Sequence, residues 1–589
     1  MKKFFRNIAI VLFALSGTAC SLDTESMSSI DSQTYYKTMA DAKAALVGCY
    51  DGYRRTASGG SSPSFYEASE IMGDDCFGAT GNGDGRAYQV VDRFDQSQSP
   101  GDMNIFENLW KAYYAGIFNA NSLLVQLDNI TWEASADFNT SSPEETRAAV
   151  EGEARFLRAI QYFDLARLFG RVPLLKEPTK EVVPQAEADS TFALIFKDLK
   201  FASENIKYVP TKAWHAANDG RATAEAAKAM LARVYLFYTG YYGKEPQDVT
   251  KDYVITALED IVNGGHYGLV QTKDNNGFAR LWRAAVAEDA GDGQGLDYND
   301  WVGIGCKDDT VNEYIFTMKF NYTQDYNGVT TGNRWLVMMG LRGVTDVAAV
   351  PYGKGWGACT VNPDAWDVYE SGDARQAATI INYVAEGRTA IWTDDLLADQ
   401  REYTGYNLKK YIPLSYNVGG QAVPEVQAES EWEGGHDFQI SQYQDFVVMR
   451  YADVLLMLSE LKQDATYMNQ VRKRAGLADV TYSNEAVVAE RHREFMGEGL
   501  RYWDLLRQGV DYAASEIAGT WTVLSGNKED VVTTAVGVER YRVLVSHKFE
   551  VTVHSTIVTV SPMSIFVFIE FIVFLVFITS GIYNIPLHT

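Results

Sequence analysis

Apolar residues recur at helical spacing over two long parts of this chain and lose that spacing between them. The segment TMADAKAALVGCYDGYRR starts at a threonine and places Ala42, Leu46 and Cys49 on one face, as in an amphipathic helix. The same spacing occurs in NIFENLWKAYYAGIFNANSLLVQLD and in TRAAVEGEARFLRAIQYFDLARLFGRVPLL, which Gly170 and Pro173 end. The pattern predicts a mostly α-helical fold.

Two further helices are predicted over residues 192–205 and 223–238, and the second is rich in alanine. Helix pairs that cross at small residues are typical of tetratricopeptide repeats, in which units of about 34 residues stack as helical hairpins. The repeat pattern itself is degraded here. The sequence therefore predicts tetratricopeptide-like helix pairs within a fold that is mostly α.

Residues 265–445 lack helical periodicity and are rich in glycine, asparagine, aspartate and tryptophan, as in DAGDGQGLDYNDWVGIGC and PYGKGWGACTVN. Loops of this length in a compact protein are either functional or disordered, and the tryptophan content argues against disorder. Helices resume with FVVMRYADVLLMLSE. We expect helical parts at 20–264 and 446–545, with a loop-rich region at 265–445 inserted between them.

The N-terminus has the order of a bacterial export signal. A basic start is followed by an apolar run over residues 8–15, which is too short to span a membrane stably. Residues 1–19 are predicted to be a lipoprotein signal peptide, and Cys20 is the predicted lipidation site. The alternative is an ordinary signal peptide that is cut near Ala19 and leaves Cys20 as a free thiol, because Gly17 stands where a branched apolar residue is usual.

Composition restricts the classes of partner and metal site. The chain carries a formal net charge of −25, and such an acidic surface repels phosphate backbones, so nucleic acid is not expected as a partner. Apart from Cys20, the cysteines are widely spaced and form no CxxC pair, which argues against a zinc site. Disulfides and free thiols both remain open for these residues. They are Cys49, Cys76, Cys306 and Cys359.

The stretch ERHREFMGEGLRYWDLLRQG, residues 490–509, is the strongest candidate for catalytic chemistry. Glu490, Glu494 and Glu498 would share one face of an unbroken helix, and a glycosidase needs two carboxylates. Nearby arginines would depress the carboxylate pKa, which is the wrong direction for a general acid. Gly497 and Gly499 are also expected to bend or break the helix. We interpret the stretch as structural and ion-paired, and we do not expect an enzyme.

The loop GATGNGDGR is glycine-rich and acidic. Asp84 lies near Asp74 and Asp75 in sequence, which partly matches a calcium-binding loop, but the full acidic spacing and the terminal glutamate are missing. A structural calcium ion and a flexible surface loop are the two interpretations. No other metal site and no cofactor are expected.

Several segments together resemble the SusD/RagB family of outer-membrane nutrient-binding lipoproteins. They are EGEARFLRAIQYFDLARLFGRVPLL, GRATAEAAKAMLARVYLFYTG, RYADVLLMLSE, NQVRKRAGL and ERHREFMGEGLRYWDLLRQG, and their order and spacing within residues 20–509 match as well. The resemblance implies a surface-exposed lipoprotein, anchored in the outer membrane through Cys20, that covers a SusC-like TonB-dependent transporter. It also implies a glycan ligand, or a peptide in one branch of the family, and no catalysis.

The resemblance places ligand contacts in the early loop and in the middle region, although the family has no invariant ligand motif. A ring beside glycines has little local cover, so its face is expected to stack on sugar CH groups. Core packing is the alternative for each ring. We expect Asp74, Asp75, Asn299 and Asn333 to hydrogen-bond ligand hydroxyls. The aromatic candidates are Phe77, Tyr88, Tyr298, Trp301, Trp335 and Trp356.

The C-terminal residues 546–589 do not resemble the family. The run from Met563 to Ile582 is almost wholly apolar, apart from Glu570, and is hydrophobic enough to insert as a membrane helix. Such a helix would hold an outer-membrane lipoprotein at the inner membrane. We interpret the tail as the product of a shifted reading frame or a sequence fault near residue 545, with a second membrane anchor and a buried strand pair as alternatives.

Three classes of function therefore compete. A glycan-binding surface lipoprotein that feeds a transporter explains the lipid signal, the helix pairs and the aromatic middle region together. A glycan-degrading enzyme would need two unpaired carboxylates in an aromatic cleft. A helical-repeat scaffold for proteins or peptides would leave the middle region without a purpose. The first class is the predicted function.

Overall fold

The computed structural model describes residues 35–57, 63–94, 105–179, 181–208, 210, 218–271, 277–287, 313–323, 331–428 and 436–534 of the 589-residue chain. The predicted signal peptide (1–19), Cys20 and the apolar tail (546–589) lie outside the described residues. Helices are the main regular structure of the described residues, which confirms the prediction of a mostly α-helical fold.

The N-terminal part is built from helices that pack against their neighbours in sequence. They are α1 (Met39–Arg54), α2 (Phe65–Ile71), α3 (Ala87–Asp92), α4 (Glu107–Leu124), α5 (Pro143–Phe169), α6 (Ala188–Asn205), α7 (Ala224–Tyr242) and α8 (Lys251–Gly264). The Ser142 hydroxyl caps α5 by accepting a hydrogen bond from the Glu145 N–H, and Gly170 ends it. Because α5 packs on α6, α6 on α7 and α7 on α8, the predicted helix pairs are present.

Two glycines let α1 and α4 come into close contact. A Cβ atom added at Gly52 would lie 2.7 Å from the Gly116 Cα, and one at Gly116 would lie 1.9 Å from Gln161 Oε1. A larger residue at Gly52 would push α1 away from α4, whereas one at Gly116 would first displace the Gln161 side chain, so the close crossing depends most on Gly52.

The middle region is made of short elements joined by loops, and its longest helices within the described residues have six residues. Its helices are α9 (Arg283–Val286), α10 (Arg334–Met339), α11 (Pro363–Trp366), α12 (Gln376–Thr379), α13 (Asp394–Asp399) and α14 (Glu425–Ala428). The strands are β1 (Cys76–Ala79), which belongs to the N-terminal part, then β2 (Tyr314–Met318), β3 (Leu341–Arg342), β4 (Lys354–Gly355), β5 (Ala358–Val361), β6 (Ile380–Asn382), β7 (Tyr406–Leu408), β8 (Ser415–Val418) and β9 (Gln421–Pro424). An antiparallel sheet with the order β1–β5–β7–β6 joins the N-terminal part to the middle region.

The C-terminal part returns to helices and contacts both preceding parts. Its elements are β10 (Phe446–Arg450), α15 (Tyr451–Lys462), α16 (Ala465–Arg474), α17 (Asn484–Phe495), α18 (Arg501–Gln508), α19 (Val510–Ile517), β11 (Gly519–Ser525) and β12 (Lys528–Thr534). Strand β10 pairs antiparallel with β2, while α15 packs on α8 and α18 packs on α7. Strands β11 and β12 form a hairpin that helical periodicity did not predict.

The stretch from 490 to 509 folds as two helices with a glycine-containing turn between them. Gly497 (φ +81°) and Gly499 (φ +69°) adopt left-handed backbone conformations after α17 ends. Their N–H groups donate to the two carboxylate oxygens of Glu70 on α2, each at 2.8 Å. The expected break in the helix is confirmed, and it serves to bind a buried carboxylate of the N-terminal part.

The glutamates of this stretch are buried and ion-paired. Arg375 contacts Glu490 at 2.7 Å and Glu494 at 3.0 Å, and Arg450 contacts Glu494 at 2.9 Å and Glu498 at 2.8 Å. Burial opposes ionisation, but the neighbouring arginine charges outweigh it and hold the pKa of Glu494 well below its usual range. The ion-paired structural interpretation is confirmed, although these two arginines come from the middle region and β10 and not from the stretch itself.

Candidate ligand-binding site

Three of the six aromatic residues expected at the ligand site lie in the core. Phe77, Tyr88 and Trp335 are 3%, 4% and 1% exposed. The Phe77 ring packs edge-on against Trp521 of β11, and the Tyr88 hydroxyl donates to Glu67 at 3.1 Å. The expectation of open ring faces is wrong for these three, because groups distant in sequence cover them where the neighbouring glycines do not.

The other three aromatic candidates differ in what the structure describes. Tyr298 and Trp301, together with Asn299, lie outside the described residues, so their ligand contacts stay a prediction. Trp356 is described and half-buried, with part of its ring packed on the main core. Trp356 is therefore the starting point for a candidate site.

Trp356 follows β4 directly, and its indole ring has a cation over one face. The Arg334 guanidinium lies 4.5 Å from the ring centroid, which is within the range of a cation–π contact. Arg334 Nη1 also donates to the carbonyl oxygen of Gln439 at 2.7 Å. Both Arg334 and Trp356 are half-buried, so each keeps some surface for a ligand.

A second cation–aromatic pair adjoins the first. Lys354 Nζ lies 4.6 Å from the centroid of the Phe438 ring, and both side chains are half-buried. Lys354 is two residues before Trp356, and Phe438 is bonded to the residue that Arg334 contacts. We call the four side chains Arg334, Lys354, Trp356 and Phe438 the Trp356 patch.

Asn333 supports the patch from inside the protein. Its side-chain oxygen accepts a hydrogen bond from the Trp335 N–H at 3.0 Å and caps α10, while Nδ2 donates to the Gln444 carbonyl oxygen at 2.8 Å. Arg334 is the first residue of α10, so this cap sets the position of its backbone. Asn333 is fully buried, and the expectation that it hydrogen-bonds ligand hydroxyls is therefore wrong.

Two glycines hold β4 against α10. A Cβ atom at Gly355 would lie 2.2 Å from the Val337 carbonyl oxygen, and one at Gly340 would lie 2.6 Å from the Gly355 nitrogen. The Trp356 N–H donates to the same Val337 oxygen at 2.9 Å. The absence of side chains at both glycines thus brings Trp356 next to the helix that carries Arg334.

A buried glutamate interacts with the charge of Arg334. Glu67 Oε2 accepts hydrogen bonds from the Ser64 N–H at 2.6 Å and from the Tyr88 hydroxyl at 3.1 Å, while Oε1 has no hydrogen-bond partner within the described residues. Burial raises the pKa of Glu67 to about 7, although these hydrogen bonds and the charge of Arg334 act in the opposite direction.

The acidic loop holds Asp84 in local contacts. Its carboxylate accepts a hydrogen bond from the Gly81 N–H at 2.8 Å and contacts Arg342 at 2.9 Å. A structural calcium ion would have to share this carboxylate with Arg342. Calcium at this loop stays a prediction.

Asp74, Asp75 and His492 form a separate group of residues that could hold a metal ion, because one ligand atom from each lies within 4.8 Å of the others. Arg501 contacts Asp74 at 2.6 Å, and His492 Nε2 contacts Asp75 at 2.6 Å. Asp75 is buried, so the expectation that it binds ligand hydroxyls is wrong. Asp74 is held in its ion pair by Arg501.

Sequence reasoning singled out Trp356, whose ligand contact stays a prediction, but not its neighbours Arg334, Lys354 and Phe438. A usable signal was present for Phe438, because it follows EGGHD and so has the same glycine-rich neighbourhood that marked Trp356. For Arg334 and Lys354 the sequence offered no signal, since their contacts join segments that are far apart in the chain.

The chain matches two family descriptions in succession. Residues 60–236 match a family described as "Starch-binding associating with outer membrane", and residues 312–542 match one described as "SusD family". Together the two matches cover more than half of the chain. Among the described residues, every helix is too short or too polar to cross a membrane.

Individual relatives and solved structures agree with these matches. SusD-like protein P38 of Formosa agariphila is 23% identical over 86% of this chain and 92% of its own length. A laminarin binding SusD-like protein has a similar structure, with a TM-score of 0.63 and 24% identity over 82% of this chain and 93% of its own. Surface glycan-binding protein A from Bacteroides thetaiotaomicron also has a TM-score of 0.63, with 21% identity over 82% of this chain and 92% of its own.

The family matches cover both helical parts, and the fold agrees with that of SusD-like structures over most of the chain. The resemblance found in the sequence is thereby confirmed: this chain belongs to the SusD family.

Proposed function

We propose that this protein is a cell-surface lipoprotein that binds an oligosaccharide and delivers it to a TonB-dependent outer-membrane transporter. The Trp356 patch is the observation that carries the proposal, because a partly exposed indole ring beside charged donors suits both the CH faces and the hydroxyls of sugars. The names of similar structures support it: one binds laminarin, and others are complexes with laminarihexaose and with a xyloglucooligosaccharide. The proposed role requires neither catalysis nor a cofactor.

The substitution Trp356→Ala tests the glycan-binding role. It should weaken glycan binding at least tenfold, about 1.4 kcal/mol, because it removes the ring on which the sugar stacks. The measurement is titration calorimetry of the full-length protein in detergent micelles against a panel of polysaccharides and peptides, with reducing sugar assayed in parallel.

Trp132→Ala is the matched control. Trp132 is also a half-buried tryptophan, but it lies outside the patch and its Nε1 donates to the Leu127 carbonyl oxygen. Its replacement should leave glycan affinity unchanged. Equal affinity of Trp356→Ala and the wild type would place the site elsewhere. Release of reducing sugar would make the protein an enzyme, and a response to peptides alone would place it in the peptide-binding branch.

Anchoring and delivery are supported by the family and by the predicted signal peptide. Membranes from cells grown with labelled palmitate should carry the label on this protein, and Cys20→Ala should remove both the label and the membrane association. Tagged wild-type protein should co-purify a TonB-dependent transporter from detergent-solubilised outer membranes. A labelled, membrane-bound Cys20→Ala variant would contradict the predicted anchor, and purification without a transporter would contradict delivery.

A further inference from the structure

The two cations of the Trp356 patch form no salt bridge within the described residues. Arg334 contacts the Trp356 ring and the Gln439 carbonyl oxygen, and Lys354 contacts the Phe438 ring. Arg342 on the adjacent strand β3 shows the contrast, because it contacts Asp84 at 2.9 Å and Asp399 at 2.7 Å. The positive charges of the patch are therefore not neutralised by an ion pair of the described chain.

This local charge is opposite in sign to that of the protein as a whole, which has a formal net charge of −25. Within the described residues, Glu67 and Asp437 lie near the patch. Glu67 is fully buried, and its Oε2 accepts hydrogen bonds from the Ser64 N–H and the Tyr88 hydroxyl. Asp437 accepts a hydrogen bond from the Gln439 N–H at 2.9 Å, which shapes the turn that carries Phe438. Neither forms a salt bridge with Arg334 or Lys354 in the described structure.

The arrangement of the patch suits a sugar that carries a negative charge. The charged end of each cation lies over an aromatic ring. A bound sugar could therefore touch the ring with one part and the cation with a neighbouring part. The guanidinium of Arg334 offers planar donors that match a carboxylate or a sulfate, and Lys354 adds a second point charge. A neutral glycan would use the rings and offer neither cation a counter-charge.

We propose that the Trp356 patch selects glycans with anionic substituents, uronate carboxylates or sulfate esters, over their neutral counterparts. This inference rests on the proposed glycan-binding function and names the substrate class of the same site. The net charge of −25 opposes the binding of any polyanion, so the selectivity has to come from the local charges of Arg334 and Lys354.

The test compares matched pairs of glycans on the full-length protein in detergent micelles. One arm uses oligouronides and their carboxyl-reduced forms, and the other uses sulfated galactan oligosaccharides and their desulfated forms. We expect the charged member of at least one pair to bind at least tenfold more tightly than its neutral partner. Raising the salt concentration from about 0.05 M to about 0.5 M should reduce that preference, because exposed charges are screened. The arm that shows the preference identifies the anionic group.

Lys354→Met tests the mechanism, because methionine keeps an aliphatic side chain against Phe438 but removes the charge. It should weaken binding of the charged glycan about tenfold more than binding of the neutral glycan, and so remove most of the preference. Arg334→Lys keeps the charge and should retain the preference for the charged glycan. Lys111→Met is the control, since Lys111 is exposed on α4 and pairs with Glu107; its affinities should equal those of the wild type.

The possible failures are separable. Equal binding of charged and neutral partners, both weakened by Trp356→Ala, would overturn the charge selectivity and leave the glycan-binding proposal standing. A charge preference that survives Lys354→Met unchanged would overturn the role of the patch in selecting charge. No binding to any glycan of either arm or of the polysaccharide panel would overturn both proposals.

Discussion

Glu67 has a buried carboxyl group that nearby residues hold in place by hydrogen bonds. It lies in the first turn of α2, where Ser64 and Glu67 form a reciprocal capping box, and Tyr88 also donates to it. Burial raises the pKa of this carboxyl to about 7 from an ordinary value of 4.5. Between pH 4.5 and about pH 7, the Glu67 carboxyl group keeps its proton in the folded protein but has lost it in the unfolded chain. Stability must therefore fall as the pH rises through this window.

Glu67→Gln should remove this pH dependence. Glutamine does not ionise and keeps an acceptor oxygen for the Ser64 N–H, so wild type should lose about 3 kcal/mol of unfolding free energy relative to the variant between pH 4.5 and pH 8. Urea unfolding at a series of pH values measures the difference. Glu144→Gln, at an exposed glutamate in the first turn of α5, should run parallel to the wild type. A parallel curve for Glu67→Gln would show that Glu67 does not titrate in this range.

Trp335 and Trp356 show what residue-level prediction from sequence lacked. Both lie near glycines, but the Trp335 ring packs against Tyr411 and Phe446 at centroid distances of 6.2 and 6.1 Å, while Trp356 remains half-buried. The covering rings come from segments distant in the chain, so no local window contains them. Glycine neighbours predict only the absence of local cover, which is necessary for an open ring but not sufficient.

At the scale of elements, the long helices could be predicted from the sequence because their signals are local. The apolar periodicity and the ending glycine of α5 lie within one segment. Sheet pairing is different, since β1 residue Cys76 pairs with Val361 of β5 and a strand of four residues has no distinctive pattern of its own. The middle region was therefore predicted as loops, although within the described residues it contains short strands that form a sheet with the N-terminal part.

In the whole molecule, the segment from 490 to 509 joins all three parts of the chain. Gly497 and Gly499 bind Glu70 of the N-terminal part. Arg375 connects the middle region to α17, and Arg450 connects β10 to it. The charges of this network are buried, so each depends on its partners for compensation. The network fixes how the helical parts and the middle region, which carries the Trp356 patch, sit together.

Arg450→Met should therefore destabilise the whole protein. Arg450 contacts Glu313 at 2.7 Å, Glu494 at 2.9 Å and Glu498 at 2.8 Å, and its removal leaves part of that buried negative charge uncompensated. We expect a loss of about 3–5 kcal/mol of unfolding free energy, measured by urea denaturation at neutral pH. Adding Glu498→Gln to Arg450→Met should recover part of the loss, because it restores the net charge of the network. Lys410, which pairs with Glu498 at 2.7 Å, keeps its hydrogen bond to the Glu494 carbonyl oxygen at 2.9 Å.

The control is an ion pair of similar length at the surface. Arg171 contacts Glu187 at 2.8 Å, with the two side chains 49% and 73% exposed, so Arg171→Met should cost less than about 1 kcal/mol. A loss in Arg450→Met no larger than in Arg171→Met would show that the buried network does not hold the parts together. A large loss with partial recovery in the double variant would show that its charge balance, and not merely the volume of one side chain, stabilises the fold.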